Sequence, residues 1–278
     1  MRAKSIFSAL CVAAAVLTPV SAAAQAQVRP GPPAIRTYVS GLGNDANTAA
    51  SCPREKPCRT LAAAYSVTQK GGEIIALDPG EYGPITITRA VSIFGNIDAL
   101  IGVANGGTGV TINAAAADKV VIRNFIITGA GATNTKGIVL NSGQLALLHS
   151  TLKQLSTGLA VTNTKADLVH TDVIENETGI STSGTGTDAN GGNFTGPTQV
   201  RIAWGSAIGN STAYVMHDPG SGTGGNKFTI LEFLTSNTVA AYSTNVTGNG
   251  TLISGTGASC GGSNCQSLGY YSSYTNPK

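Results

Sequence analysis

The stretch from Gln144 to Thr182, QLALLHSTLKQLSTGLAVTNTKADLVHTDVIENETGIST, contains one phrase written twice. Leu145, Leu147, His149, Leu152 and Gly158-Leu159 recur 21 residues later as Ala166, Leu168, His170, Val173 and Gly179-Ile180. Looser copies flank this pair. Val120, Ile122, Asn124, Ile127 and Gly137-Ile138 lead into it, and Val200, Ile202, Trp204, Ala207 and Ala213-Tyr214 follow a Gly-rich insertion. A last copy is read at Thr229, Leu231, Leu234 and Ala240-Ala241. Asn176, Asn210 and Asn237 share one position, three residues before the Gly or Ala of each copy. Within a copy the apolar residues alternate, pause at Gly, Asn, Ser or Thr, and alternate again, as short strands separated by tight turns do. No segment of about 12 residues lies between strands to act as a crossover helix, so a βαβ sheet is excluded. About 21 residues accommodate three short strands and three turns. That is one coil of a parallel β-helix, in which each strand pairs with its copy in the next coil.

The pattern resembles that of the right-handed parallel β-helix proteins of the pectin-lyase-like superfamily, over roughly Thr37 to Ile253. At the front, TYVSGLGNDANTAASCPREKPCRTLAAAYSVTQKGGEIIALDPGEYGPITI is similar to the N-terminal module of secreted bacterial β-helix proteins. That resemblance implies a short helix capping the open end and a first coil beginning at the GG-E-I…L-DPG-EY run. The expected fold is all-β: a single-stranded, right-handed parallel β-helix of about seven coils, roughly 30 Å long at about 4.8 Å per coil, with a short N-terminal capping helix. Thr60 to Thr68 reads as that helix, with Thr60 as N-cap and Gly71-Gly72 as the stop. Its expected task is to protect the otherwise unpaired edge of the first coil. The domain plan is a signal peptide (1–26), an N-terminal cap (27–73), the β-helix (74–254) and a C-terminal cap or loose tail (255–278).

Residues 1–26 read as a targeting segment, with Arg2 and Lys4 as the charged start, an apolar run from Ile6 to Leu17, and a cleavage signal at Ala24-Gln25-Ala26. The apolar run is too short to span a bilayer, so the chain is expected to be exported to the periplasm or the exterior. Cys11 leaves with this segment. Losing Arg2 and Lys4 reduces 17 basic residues to 15 against 14 acidic ones, which gives no electrostatic case for nucleic acid or an anionic membrane. No later stretch is long and apolar enough to anchor the chain, and the tail, with Tyr270, Tyr271 and Tyr274, lacks the alternation of an outer-membrane barrel strand. Four cysteines remain, Cys52, Cys58, Cys260 and Cys265. An even count in an exported chain favours disulfides. Three pairings are formally open, and the short spacings favour Cys52 with Cys58 and Cys260 with Cys265. A zinc site built from all four is excluded, because it would bring together the two ends of a rod.

β-Helix enzymes of the resembled superfamily mostly act on polysaccharides, which sets the chemistry to look for. Calcium-dependent lyases of that kind hold the metal between carboxylates of neighbouring coils. Here Asp167, Asp172, Glu175 and Glu177 all fall in one coil, so a cation wanting six to eight oxygen ligands finds a single coil's worth, and no metal or other cofactor is expected. Polygalacturonase-like members use an Asp pair, a further Asp and Gly-His-Gly and Arg-Ile-Lys segments; none is present, and Arg201-Ile202-Ala203 lacks the lysine. Asp172 with Glu175 or Glu177 is the one carboxylate set able to meet the spacing of an inverting hydrolase. His149 and His170 occupy equivalent positions about 5 Å apart, either as a general base or half a metal site, or as a stacked ladder at a turn. Asn176, Asn210 and Asn237 read as an asparagine ladder. Trp204 and Tyr214, beside the 183–198 insertion SGTGTDANGGNFTGPT, are the aromatic candidates for a sugar-stacking surface that suits a neutral or weakly charged glycan. The function these readings support is an exported, non-catalytic structural or glycan-contacting protein at the cell surface or in the periplasm. The alternative is a polysaccharide lyase or glycoside hydrolase with a divergent site, argued from superfamily analogy.

Overall fold

The computed structural model describes residues 31–162, 164–183, 198–217, 227–235 and 240–242, and over them the chain is a parallel β-helix. Every strand pairing among the described residues is parallel. The chain winds over three faces in turn. The first carries Ala34–Val39, Thr68–Ala76, Val91–Phe94, Lys119–Arg123, Gln144–Leu148 and Lys165–Val169. The second carries Gly80–Glu81, Ala99–Gly102, Ile126–Thr128, Thr151–Lys153 and Asp172–Ile174. The third is a seven-stranded sheet from Ile85–Ile87 to Ala240–Tyr242, which matches the coil number expected from the sequence. Gln199–Ile208 runs on through the first corner and pairs with Lys165–Val169 and Asp172–Ile174, so it joins the first two faces into one hydrogen-bonded sheet. No helix among the described residues is long and apolar enough to cross a membrane.

The repeated phrase is a set of vertical columns. Leu147 pairs with Ile122 and Leu168, Leu152 with Ile127 and Val173, and Leu159 with Ile138 and Ile180, all buried in one core. Each such side chain contributes about 1.5 to 3 kcal/mol by leaving water. Because alternate residues point to opposite faces, a one-residue slip would turn a whole inward set outward, and this fixes the 21-residue period. The last copy departs from the sequence reading. Val200 pairs with Phe228, Ile202 with Ile230 and Ala207 with Thr235, one residue away from Thr229 and Leu231 and on the other side of Leu234; Ala240 pairs with Val215 rather than with Ala213. Lys227–Thr235 (KFTILEFLT) has apolar residues in both alternating phases, so alternation alone does not set its register.

The N-terminal end also differs. The strand Ala34–Val39, not expected from the sequence, pairs with Thr68–Ala76, so coil pairing begins inside the segment read as cap. Between Ala34↔Thr68 and Arg36↔Glu73, five steps on one strand face two on the other; Gly71, at φ +77°, sits in this bulge. Gly71-Gly72 is therefore inside a strand and does not stop the helix. The helix, Leu61–Val67, is capped by Thr60, whose hydroxyl accepts the Ala63 N–H at 3.2 Å, and it ends at extended Thr68, whose hydroxyl donates to Ala64 C=O at 2.7 Å. Its buried Leu61, Ala64, Tyr65 and Val67 cover the end of the core.

Protection of the backbone edge falls to a different element. The Cys52–Cys58 disulfide closes a loop along the outer side of Ala34–Val39. Tyr38 N–H donates to Cys52 C=O, Cys58 N–H to Tyr38 C=O and Ser40 N–H to Cys58 C=O, each at 2.9 Å. These are the groups that an uncovered parallel edge would offer to another chain. Asp78 ties this cap to the first coil by accepting from Ser40 Oγ at 2.5 Å, Gly41 N–H at 2.7 Å and the Tyr82 hydroxyl at 2.7 Å. Burial works to raise the Asp78 pKa, and these three bonds outweigh it and hold the carboxyl below its ordinary value. Burial, with the Asp78 bond, pushes the Tyr82 hydroxyl well above the ordinary tyrosine value.

Candidate functional site

At the first corner, Asn124, His149 and His170 take left-handed backbone conformations (φ 59°, 47° and 49°), which Asn and His adopt more readily than most residues. Their side chains are exposed. The two imidazoles stack with centroids 4.8 Å apart and planes 6° apart. Val169 pairs with Ala203 and His170 N–H donates to Ala203 C=O at 2.9 Å, so the register places Trp204 next in this column. Among the described residues no group of three His, Cys, Asp or Glu is placed to hold a metal ion. The stack is the ladder arrangement of the two read from the sequence.

At the second corner Gln154, Glu175 and Gly209 are left-handed (φ 54°, 54° and 72°), and the next residues, Leu155, Asn176 and Asn210, are buried. Asn176 Nδ2 donates to Leu152 C=O at 3.0 Å and to Asn210 Oδ1 at 2.9 Å, and Asn176 Oδ1 accepts Leu155 N–H at 3.0 Å. Asn210 Oδ1 also accepts Asn176 N–H at 2.9 Å, and Asn210 Nδ2 donates to Val173 C=O at 2.7 Å. Each amide thus satisfies turn groups of the coil before it. Asn237 lies outside the described residues, as do Cys260 and Cys265.

The same corner carries a cleft of about 540 Å³ lined by Ala130, Ala132, Thr133, Gln154, Ser156, Glu175 and Glu177 among others. Its origin is a difference in turn length. Residues 129–135 connect Ile126–Thr128 to Lys136–Ser142 with seven residues, whereas Gln154, Leu155 and Ser156 make the equivalent connection in the next coil with three. The longer turn forms a ledge over the shorter one, and Glu175 and Glu177 close the far side. Glu175 Oε2 accepts from Gln154 Nε2 at 3.2 Å. Asp172 is apart from them: it stands on the second face, outside the cleft, and accepts from Ser206 Oγ at 2.5 Å. The carboxylate set read from the sequence therefore divides, with Glu175 and Glu177 at the cleft and Asp172 elsewhere. Gln154, Ser156 and Thr133 were not singled out from the sequence, and the signal available was the length of the Gly-Ala-rich connection, not any reactive residue type.

Trp204 and Tyr214 do not come together. Tyr214 pairs with Ile180 on the third face, in the column of Leu159 and Ile138, whose side chains are buried. Trp204 lies five residues into Gln199–Ile208, about 17 Å from where the chain returns to the first face. Residues 184–197 of the insertion lie outside the described residues.

No protein-family model matches the chain, and no curated protein matches it. Among solved structures it is similar to ORF18 of Geobacillus virus E2, at 16% identity and a TM-score of 0.43 over 63% of this chain. The similarity spans 33% of the viral protein, so the chain matches about a third of its length. It is also similar to the pectate lyase Pel9A, at 14% identity and a TM-score of 0.36 over 82% of each chain.

Proposed function

We propose that the protein is an exported, non-catalytic parallel β-helix that contacts a neutral or weakly charged cell-surface glycan at the second-corner cleft. One observation carries this reading: both carboxyl groups at the cleft, Glu175 and Glu177, belong to one coil, while the facing ledge presents Ala130, Gly131, Ala132 and the Thr133 side chain. Inverting hydrolysis places acid and base on opposite sides of the sugar, about 6.5 to 9.5 Å apart, and retaining hydrolysis also flanks the bond with two carboxyls. A one-sided pair suits binding better, because carboxylates accept sugar hydroxyls while the Gln154 amide and the Ser156 and Thr133 hydroxyls both donate and accept. The targeting pattern of residues 1–26 supports export, and the repeat pattern supports kinship with the pectin-lyase-like superfamily. The second reading, a divergent polysaccharide lyase or glycoside hydrolase, draws on Glu175 and Glu177 sharing a cleft.

The test is a glycan array probed with the mature protein, followed on each retained glycan by reducing-end and unsaturated-uronide assays. The proposal expects retention that falls at least tenfold in Gln154→Ala/Glu177→Ala, with both assays at background. New reducing ends or a rise in uronide absorbance, lost in Glu175→Gln, would establish the enzyme reading, and a blank array would remove the glycan.

A further inference from the structure

The outer surface of the first face carries an apolar column that a second copy of the chain complements. On each first-face strand the inward residues are buried, for example Thr37 and Val39, Val91 and Ile93, and Leu145 and Leu147. The outward residues run in register along the rod as Tyr38, Ile75, Phe94, Arg123, Leu148 and Val169. All but the exposed Arg123 are half-buried. Beside them runs a second outward column, Arg36, Glu73, Ser92, Val121, Ala146 and Asp167. Parallel sheets are ordinarily covered on both faces, and this one presents five large apolar side chains outward.

The geometry points to an antiparallel homodimer formed face to face through these two columns. A two-fold axis lying along the strand direction, between Val91–Phe94 and Lys119–Arg123, sets the first strand opposite the partner's sixth, the second opposite its fifth and the third opposite its fourth. Tyr38 then meets the partner's Val169, Ile75 meets the partner's Leu148, and Phe94 meets the partner's Arg123, a guanidinium over a phenyl ring. In the second column Arg36 meets the partner's Asp167, Glu73 meets the partner's Ala146 and Ser92 meets the partner's Val121. Within each chain Arg36 already pairs with Glu73 at 2.7 Å and Arg201 with Asp167 at 3.5 Å. Across the interface the charges therefore alternate in sign: Glu73, Arg36, the partner's Asp167, the partner's Arg201. Moving the axis by half a coil toward the far end would instead set Arg36 against the partner's Arg201 and Glu73 against the partner's Asp167. Charge thus selects the first register, and the contact is isologous, as a closed dimer requires.

Six strands at about 4.8 Å spacing and about five residues in width give a contact of roughly 450 Å² per subunit, about half the standard 800 Å². The dimer is accordingly weak and concentration-dependent, with a micromolar dissociation constant.

The experiment is sedimentation velocity on the mature protein between about 1 and 100 μM, together with cysteine cross-linking. Dimer should accumulate with concentration, and Leu148→Glu should raise the dissociation constant at least tenfold with unchanged circular dichroism. An equimolar mixture of Ile75→Cys and Leu148→Cys chains should form mixed covalent dimers under mild oxidation. Either variant alone should not, because like positions are three coils, about 14 Å, apart along the axis. A monomer throughout the range would overturn the proposal, as would equal linking by either variant alone. Loss of glycan retention in Phe94→Ala with the wild-type chain monomeric would also overturn it, by making the face a ligand surface.

Discussion

Replacing Asn176 with Leu isolates the hydrogen-bonding contribution of the second corner from its packing. Leucine already occupies the equivalent position one coil earlier, at Leu155, where it is buried, so the column accommodates its shape. What the substitution removes is the acceptor for Leu155 N–H at 3.0 Å and the donor to Leu152 C=O at 3.0 Å, both in a buried turn. It also removes the amide contact with Asn210 Oδ1 at 2.9 Å, although that oxygen keeps the Asn176 backbone N–H. A buried group left without its partner costs about 1 to 3 kcal/mol, and apolar burial of the new side chain returns about 1 kcal/mol, so a net loss of about 2 to 4 kcal/mol is expected for the two backbone groups. Urea unfolding of the mature protein measures it as a lower midpoint at unchanged slope. A loss below about 0.5 kcal/mol would refute the reasoning, since it would show that these groups find water or other partners as easily as they find the amide.

Non-reducing peptide mapping of exported protein should recover Cys52 linked to Cys58 and, as the spacing suggests, Cys260 linked to Cys265. Cys52→Ser/Cys58→Ser should lose about 2 to 3 kcal/mol and aggregate faster as the edge of Ala34–Val39 is uncovered, and an unchanged aggregation rate would remove the loop from edge protection. Asp78 titrates in the folded chain below its unfolded value of about 3.9, so its stabilisation is present above that value and is lost as pH falls through the lower, folded one. Asp78→Asn should therefore be less stable than wild type at pH 6 and approach it on acidification; a difference that stays constant down to pH 2 would contradict the hydrogen-bonded carboxylate.

The core columns were legible because each 21-residue copy alternates in a single phase: Leu145, Leu147, Leu152 and Leu159 have apolar partners above and below, with polar or small residues between. The phase of Lys227–Thr235 was not, because Phe228, Ile230, Leu231, Phe233 and Leu234 populate both parities. Ala34–Val39 escaped notice because Ile35 is exposed and Thr37, a polar residue, fills the buried position, bonded to the Thr68 hydroxyl at 2.8 Å. Glu175 and Glu177 were visible as residues, and their separation from Asp172 was not. Which carboxylates share a cleft depends on the ledge of residues 129–135, and GAGATNT carries no chemical mark of what it overhangs. The outward column from Tyr38 to Val169 was hidden for a related reason: neighbours in it are 19 to 37 residues apart in sequence, and only strand register brings them into line.

The claim on which fold, cleft and dimer all depend is that the coils stack in register with a 21-residue period, and a pair of deletions tests it most directly. Removing Leu145–Lys165, 21 residues, joins Gln144 to Ala166, which already occupies the Leu145 column, and leaves every remaining inward side chain facing in. Removing one residue fewer, Leu145–Thr164, puts Lys165, Asp167 and Val169 into the core positions of that strand and turns Ala166 and Leu168 outward. Measured by thermal unfolding with circular dichroism, the 21-residue deletion should keep the β spectrum and a cooperative transition, and the 20-residue deletion should lose both. Equal behaviour of the two deletions, whether both fold or both fail, would contradict the stacked-coil account.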